Sequence, residues 1–405
     1  MSKGKDTKPH IGIFGRRNNG KSSLINSLLE QDIAIVSEVA GTTADPVKKS
    51  VEIEGLGPVV LIDTAGIDDT GDLGKKRVEK TLHTLQIIDA AILVIAENTF
   101  GDPEEGIIEE FRNYGIPFLI IHNKNDLHAI EPTLKAALSN KYFCKVLDYS
   151  VQSPDNKTVA ENLRTIIPET IYQYRSLVGG LIKQGDIVLL ITPVDTEAPE
   201  GRMILPQVQV IRDVLDNHGI ALVVKETEMN ELIKNLSPRP VLAITDSQVF
   251  SKADAAIPKD IPLTSFSIVL ARSKGDFNSY LKGTPHISEL KDGDRILIME
   301  SCSHHVTCDD IGRVKIPRWL SNYTGKKLEY DIVAGTDSPP RPTKSYQLAI
   351  QCGGCMFTRK QLLNRLKPYI DAQIPVTNYG MAIAWIHGIY NRAVSPFEKI
   401  DQFPL

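Results

Sequence analysis

The chain has 405 residues, which is more than one ordinary domain holds, so two or three are expected. Its 42% hydrophobic and 24% charged content is typical of a soluble globular protein, and a formal net charge of −4 gives no basic footprint for nucleic acid. No apolar run is long enough to cross a bilayer, and Met1 to Pro9 has no signal-peptide core, so a cytoplasmic location with no membrane partner is expected.

His10-Ile11-Gly12-Ile13-Phe14 reads as a short buried strand. It runs into Gly15-Arg16-Arg17-Asn18-Asn19-Gly20-Lys21-Ser22 and then into an amphipathic helix over Lys21 to Leu29 that includes Ser23. Strand, G-x-x-x-x-G-K-S and helix in that order form a phosphate-cradling P-loop. Its glycines let backbone N–H groups turn toward one anion, and the helix N-terminus adds partial positive charge. Lys21 is expected on the β- and γ-phosphates and Ser22 on Mg²⁺. Gly41-Thr42-Thr43-Ala44-Asp45 is a polar segment placed for a switch loop, with Thr43 as the γ-phosphate-sensing Mg²⁺ ligand. Val59 to Ile62 is a strand that delivers Asp63-Thr64-Ala65-Gly66. Asp63 suits a water-mediated Mg²⁺ contact, and the Gly66 N–H suits the γ-phosphate. Phe118 to His122 is a later strand that ends in Asn123-Lys124-Asn125-Asp126. A carboxylate at Asp126 accepts from both N1–H and the exocyclic amine of guanine, which selects GTP over ATP.

These motifs resemble the translation-factor-like GTPases, in particular the group that includes the tRNA-modifying GTPase TrmE and Era. In that group an Asn at the position of Asn18 can bind K⁺ in place of an arginine finger, so the resemblance implies potassium-stimulated hydrolysis. Ile67 stands where Ras-like enzymes carry a water-orienting Gln, so intrinsic hydrolysis is expected to be slow. The last guanine-contacting motif, usually Ser-Ala, is Ser150-Val151 here.

Residues 176 to 185 form a glycine-containing connection and a fair domain boundary. Beyond it strands and helices alternate: strand Ile187–Ile191, helix Pro206–Asn217, strand Ile220–Val224, helix Met229–Leu236, strand Val241–Ile244, then helix from Val249. The strands are apolar throughout, which argues for a parallel sheet covered by helices. Val208, Ile211, Val214 and Leu215 are the expected buried face of the first helix. No phosphate loop or ligand cluster falls in this stretch, so it reads as an assembly or spacer domain.

Four of the five cysteines lie between residues 302 and 355. In a reducing compartment such clustering argues for metal or redox use rather than a disulfide frame. The strand Arg295 to Met299 leads directly into Cys302-Ser303-His304-His305-Val306-Thr307-Cys308-Asp309, and the strand Tyr346 to Ile350 delivers Gln351-Cys352-Gly353-Gly354-Cys355. Ligands at the C-terminal ends of strands suit an α/β crevice site. Three cysteines and a histidine could hold Zn²⁺, three cysteines and an exchangeable ligand a [4Fe–4S] cluster, and Cys352 with Cys355 a redox dithiol. The spacing does not choose among these. Cys144, beside a strand-like stretch, reads as core.

A GTPase followed by C-x-H and then, after residues 305 to 351, by C-x-x-C resembles the HydF family of [FeFe]-hydrogenase maturation GTPases. Arg313 to Trp319 and Val376 to Gly380 also fit that family. The resemblance implies an α/β chain: a P-loop GTPase domain (1–172) followed by two smaller α/β domains with mainly parallel sheets, for dimerisation (178–265) and cluster binding (266–405). It implies a [4Fe–4S] cluster on Cys302, Cys352 and Cys355. It implies a scaffold and carrier for the diiron precursor of the hydrogenase active site, working as a homodimer with [FeFe]-hydrogenase and radical-SAM maturation enzymes. Many members carry His just before C-x-x-C. Here it is Gln351, a poor iron ligand, which leaves His304 and Asp309 as leading candidates for the fourth position, ahead of Cys308. The alternative is a TrmE/Era-like RNA-modification or ribosome-assembly GTPase with structural zinc.

Overall fold

The computed structural model describes residues 8–29, 47–68, 84–167, 176–193, 203–301, 310–335, 337–355 and 357–398. The chain divides into two compact units, Met1–Tyr174 and Arg175–Leu405.

The first unit is built on β1 (His10–Gly15), β2 (Val47–Ile53), β3 (Gly57–Asp63), β4 (Ala90–Ala96), β5 (Phe118–Asn123) and β6 (Val146–Asp148). They form one sheet in the order β2-β3-β1-β4-β5-β6, and only the β2/β3 pair is antiparallel. Every residue of β4 is buried. Its side chains alternate between two cores: Ile92 and Val94 join one with Leu24, Leu28 and Leu163, while Leu93 and Ile95 join the other with Phe14, Ile108 and Phe111. A period of two with both faces apolar is what a helix-covered parallel strand requires. The winding reverses at β1: β2 and β3 lie on one side and β4 to β6 on the other. A ligand is therefore expected at the carboxyl end of β1.

The second unit contains two four-stranded sheets, both parallel throughout. One is ordered β10-β9-β7-β8, from β7 (Ile187–Ile191), β8 (Ile220–Val224), β9 (Leu242–Thr245) and β10 (Leu263–Ser265). The other is ordered β12-β11-β13-β14, from β11 (Arg295–Met299), β12 (Glu329–Val333), β13 (Leu348–Gln351) and β14 (Val376–Asn378). The strand–helix alternation thus produces the parallel sheets it predicts. Leu189 and Ile244 of one sheet and Leu297 and Ala349 of the other share a single hydrophobic core, in which Ile268, Val269 and Leu270 of helix Phe266–Lys274 also lie.

One face of helix Leu205–Asp216 differs from the expectation. It buries Val210 and Val214, whereas Val208 and Leu215 are 47% and 54% exposed. The helix is rotated so that Asp213 also points inward, where its Oδ2 accepts from the Val178 N–H (2.7 Å) and the Ser176 hydroxyl (2.9 Å). A buried carboxylate needs such donors, and apolar periodicity alone does not reveal them.

Candidate active site and metal centre

The phosphate loop leaves β1 at Gly15. Gly15 has φ +146°, and a Cβ there would collide with the Val94 carbonyl of the neighbouring strand. Gly20 has φ +86°, and a Cβ there would strike the Asn123 side chain. These two positions need glycine for both conformation and space. Asn123 Nδ2 donates to the Asn19 carbonyl (2.9 Å), and Asn19 Nδ2 donates to Val94 O (3.1 Å). The first residue of the guanine motif therefore also straps the phosphate loop. Lys21 opens the helix and folds across the loop, donating to Gly15 O (3.0 Å) and Arg16 O (2.9 Å). Asn18 sits at the exposed tip with φ +65°.

Ser22 Oγ donates to Asp63 Oδ2 at 2.6 Å, and Asp63 Oδ1 is buried with no hydrogen-bond partner among the described residues. A hydroxyl in the first turn of helix Lys21–Leu29 and a carboxylate with one unused buried oxygen at the end of β3 fit a hydrated Mg²⁺. Gly66 lies so close to the loop that a Cβ would come within 3.1 Å of the Arg17 nitrogen. Arg17 N donates to Asp68 Oδ1 (2.8 Å), which ties the end of that segment to the loop. Ile67 packs against the hydrophobic cluster around Phe14 and offers no polar atom to a water. Thr43 lies outside the described residues.

β5 delivers the guanine motif. Lys124 has φ +61° and pairs with Glu97 (3.6 Å), and Asn125 N donates to Tyr149 O (3.1 Å). Asp126 is exposed, and the buried Ser150 hydroxyl donates to its Oδ1 at 2.6 Å. Ser150 thus orients the carboxylate, while Val151 packs against the core. Sequence reasoning missed Glu104. It is fully buried on helix Asp102–Asn113 and takes Arg16 Nε at 2.7 Å and Nη2 at 2.8 Å. A lone carboxylate in a helical stretch carries no local signal of such a role.

The second unit places Cys352 at a comparable position. From β11 the chain winds to β12 on one side, then to β13 and β14 on the other. The reversal lies between β11 and β13, whose last residues, Met299 and Gln351, are paired in register. Cys352 follows at once, and its N–H extends the ladder to Met299 O (2.9 Å). Cys352 Sγ accepts from the Ser301 N–H at 3.1 Å, shares a hydrogen bond with the Ser301 hydroxyl at 2.9 Å, and lies 3.5 Å from Gln351 Nε2. Such donors stabilise negative sulfur. Gln351 is fully buried; its amide nitrogen donates to the Ser301 hydroxyl and the Cys352 carbonyl (3.3 Å each), while its Oε1 has no hydrogen-bond partner among the described residues.

Lys274 Nζ gathers the carbonyls of Gly354 (3.1 Å), Cys355 (3.1 Å) and Phe357 (3.2 Å), which fixes the C-x-x-C turn. Helix Arg359–Asp371 starts just beyond, capped by Thr358. Cys302, His304, His305, Cys308 and Asp309 lie outside the described residues, and among the described residues no group of three metal-type ligands converges. The donors that are described fit a soft, thiolate-bound centre. Cys144 is different: burial pushes its thiol up to about 11, and it packs against core.

Comparison with known families and proteins extends this picture. The family described as "Hydrogen maturase F tetramerization domain" matches residues 278–396, "Hydrogen maturase F dimerization domain" matches 177–275, and "50S ribosome-binding GTPase" matches 10–124. The tRNA modification GTPase MnmE of Nitrosomonas europaea is 38% identical over 132 residues, 31% of this chain and 28% of that protein. GTPase Der of Wolinella succinogenes is 39% identical over 125 residues, 30% of this chain and 26% of that protein. The chain thus spans under a third of the length of these curated relatives. Among solved structures, Aquifex aeolicus Era bound to GDP.AlF4⁻ aligns with a TM-score of 0.34 at 17% identity, covering 53% of this chain and 92% of that one.

Proposed function

Because the chain belongs to the hydrogen maturase F family, as its matches over 177–275 and 278–396 establish, we propose that it is a GTP-hydrolysing scaffold that binds a [4Fe–4S] cluster and hands a diiron precursor to [FeFe]-hydrogenase. It is a GTPase of hydrogenase maturation. The cluster, the cargo and its delivery are the proposal.

In the nucleotide unit, GTP is bound by the loop amides and Lys21, which must exchange its two carbonyl acceptors for phosphate oxygens. Ser22 and Asp63 hold Mg²⁺, and Thr43 completes its shell when the γ-phosphate is present. Asp126, oriented by Ser150, reads guanine. With Ile67 turned into core, no side chain there orients the attacking water, so turnover is slow and rises with K⁺ held at Asn18.

In the second unit, Cys352 and Cys355, with Cys302, hold the cluster, and His304 or Asp309 takes the fourth position. A bound cluster supplies an iron with an exchangeable corner for the visiting precursor. The protein's own contribution is to fix two thiols at a winding reversal and give Cys352 hydrogen-bond donors. Radical-SAM maturases supply the cargo.

The family matches carry assembly as well, since both name oligomerisation domains. For the homodimer, the supporting feature is edge strand β8, which exposes Ile220 (52%) and Val223 (39%) beside the exposed Val208 and Leu215. Unpaired edge strands with apolar side chains are templates for pairing with another chain.

The observation that carries the cluster reading is the Cys352 thiol, held by Ser301 donors at the winding reversal of the β11/β13 sheet. Anaerobic purification with iron, sulfide and zinc analysis tests it. About four irons and four acid-labile sulfides per chain are expected. One zinc and no sulfide would replace this reading with an RNA-modification or ribosome-assembly GTPase carrying a structural metal.

A further inference from the structure

Arg365 is buried on helix Arg359–Asp371, and its guanidinium makes its hydrogen bonds with main-chain carbonyls: Nη1 donates to Glu300 O at 2.6 Å and Nη2 to Val333 O at 3.3 Å. Its ring neighbour is Phe357, with the guanidinium carbon 5.4 Å from the centroid. Glu300 has its own cationic partner, Arg313, at 2.9 Å. Among the described residues no carboxylate pairs with Arg365, and a buried cation in that setting is costly unless negative charge stands close by.

The carbonyl that Arg365 grips belongs to the same peptide unit as the Ser301 N–H, and that N–H donates to Cys352 Sγ. Guanidinium, amide and sulfur therefore form one chain of hydrogen bonds. A cation on the amide oxygen draws electron density from the nitrogen and makes its N–H a stronger donor, and such chains strengthen cooperatively in a low-dielectric interior. Ser301 also places its hydroxyl 2.9 Å from the same sulfur.

We propose that Arg365 is a positioning and tuning residue that acts through the Glu300–Ser301 peptide to stabilise negative charge on Cys352, and so sets the reduction potential of the centre bound there. This rests on the cluster reading above. Hydrogen bonds to cluster sulfurs favour the more negative, reduced state. Removing the cation must therefore lower the potential.

The test uses the full-length chain, reconstituted without air and titrated with dithionite while the one-electron signal of the reduced cluster is followed by electron paramagnetic resonance. In Arg365→Gln, the reduced-to-oxidised ratio at fixed potential should fall about tenfold, about 59 mV for one electron. Arg365→Lys keeps the charge and a donor and should stay near wild type. An unchanged midpoint in Arg365→Gln overturns the proposal, as does Arg365→Lys falling as far as Arg365→Gln, because that pattern marks a structural role. Alkylation of Cys352 by iodoacetamide in the apo protein, read by mass spectrometry, supplies a cluster-independent arm. Slower alkylation in Arg365→Gln than in Arg365→Lys is expected, and equal rates contradict it. A wild-type chain that takes up no cluster would sink the cluster reading, while the alkylation rates would still decide the role of Arg365.

Discussion

Arg16 looks in the sequence like a variable position inside G-x-x-x-x-G-K-S. In the fold it carries the loop's tether, because its guanidinium meets the fully buried Glu104 through two nitrogens. Arg16→Ala leaves that carboxylate with the Gly101 N–H as its hydrogen-bond partner among the described residues and should destabilise the nucleotide unit by about 3 kcal/mol, read from its denaturation midpoint. Arg16→Lys, lacking the planar fork, should recover only part of it. His10 gives a pH dependence. Burial, with the nearby Lys48 charge next, lowers its imidazole to about 4. The unfolded chain takes up a proton near pH 6.5 that the folded one refuses until about 4. Stability of the first unit should therefore fall as pH drops through that window, and His10→Gln should flatten the slope in pH-dependent melting.

The nucleotide residues were legible because each motif is local: Asp63 and Asn123 end strands whose apolar runs are visible. The partners that fix them were not, because Asn123 to Asn19 and Arg16 to Glu104 are long-range contacts with no local pattern.

At the scale of elements, the alternation of apolar strands and helices gave β7, β8 and β9 to within a residue or so. It did not reveal β2 or β12, which are partly exposed edge strands mixing charged and apolar residues. The central β4, Ala90–Ala96, also lacks a motif to flag it despite being buried throughout. The misplaced face of helix Leu205–Asp216 bears on assembly, since Val208 and Leu215 are outside, near the apolar edge of β8. A charge on that edge should block pairing between chains. Val223→Lys is expected to shift the sedimentation profile toward the monomer, and an unchanged dimer would move the interface elsewhere.

At the scale of the whole molecule, three winding reversals stand in two compact units, and two of them carry the site residues: β1 with its phosphate loop, and β11/β13 with Cys352, while the β7/β9 reversal carries no ligand motif. Each unit has its own core, so the sites should be separable by mutation. Lys21→Ala removes the phosphate contact and should cut GTP hydrolysis by at least about a hundredfold with iron content unchanged. Loss of iron in that variant would mean that the metal centre depends on the nucleotide unit. The family could be read from the whole chain because the GTPase loops and the spaced cysteines occur together. The full ligand set of the proposed cluster could not, because three thiols leave the last position to context.

The most direct measurement pairs hydrogenase activation with GTP turnover in Cys352→Ala. Cargo-loaded wild-type protein should activate apo-hydrogenase, and the variant should fail to do so while hydrolysing GTP at the wild-type rate. A variant that still activates hydrogenase would contradict a cluster held by Cys352.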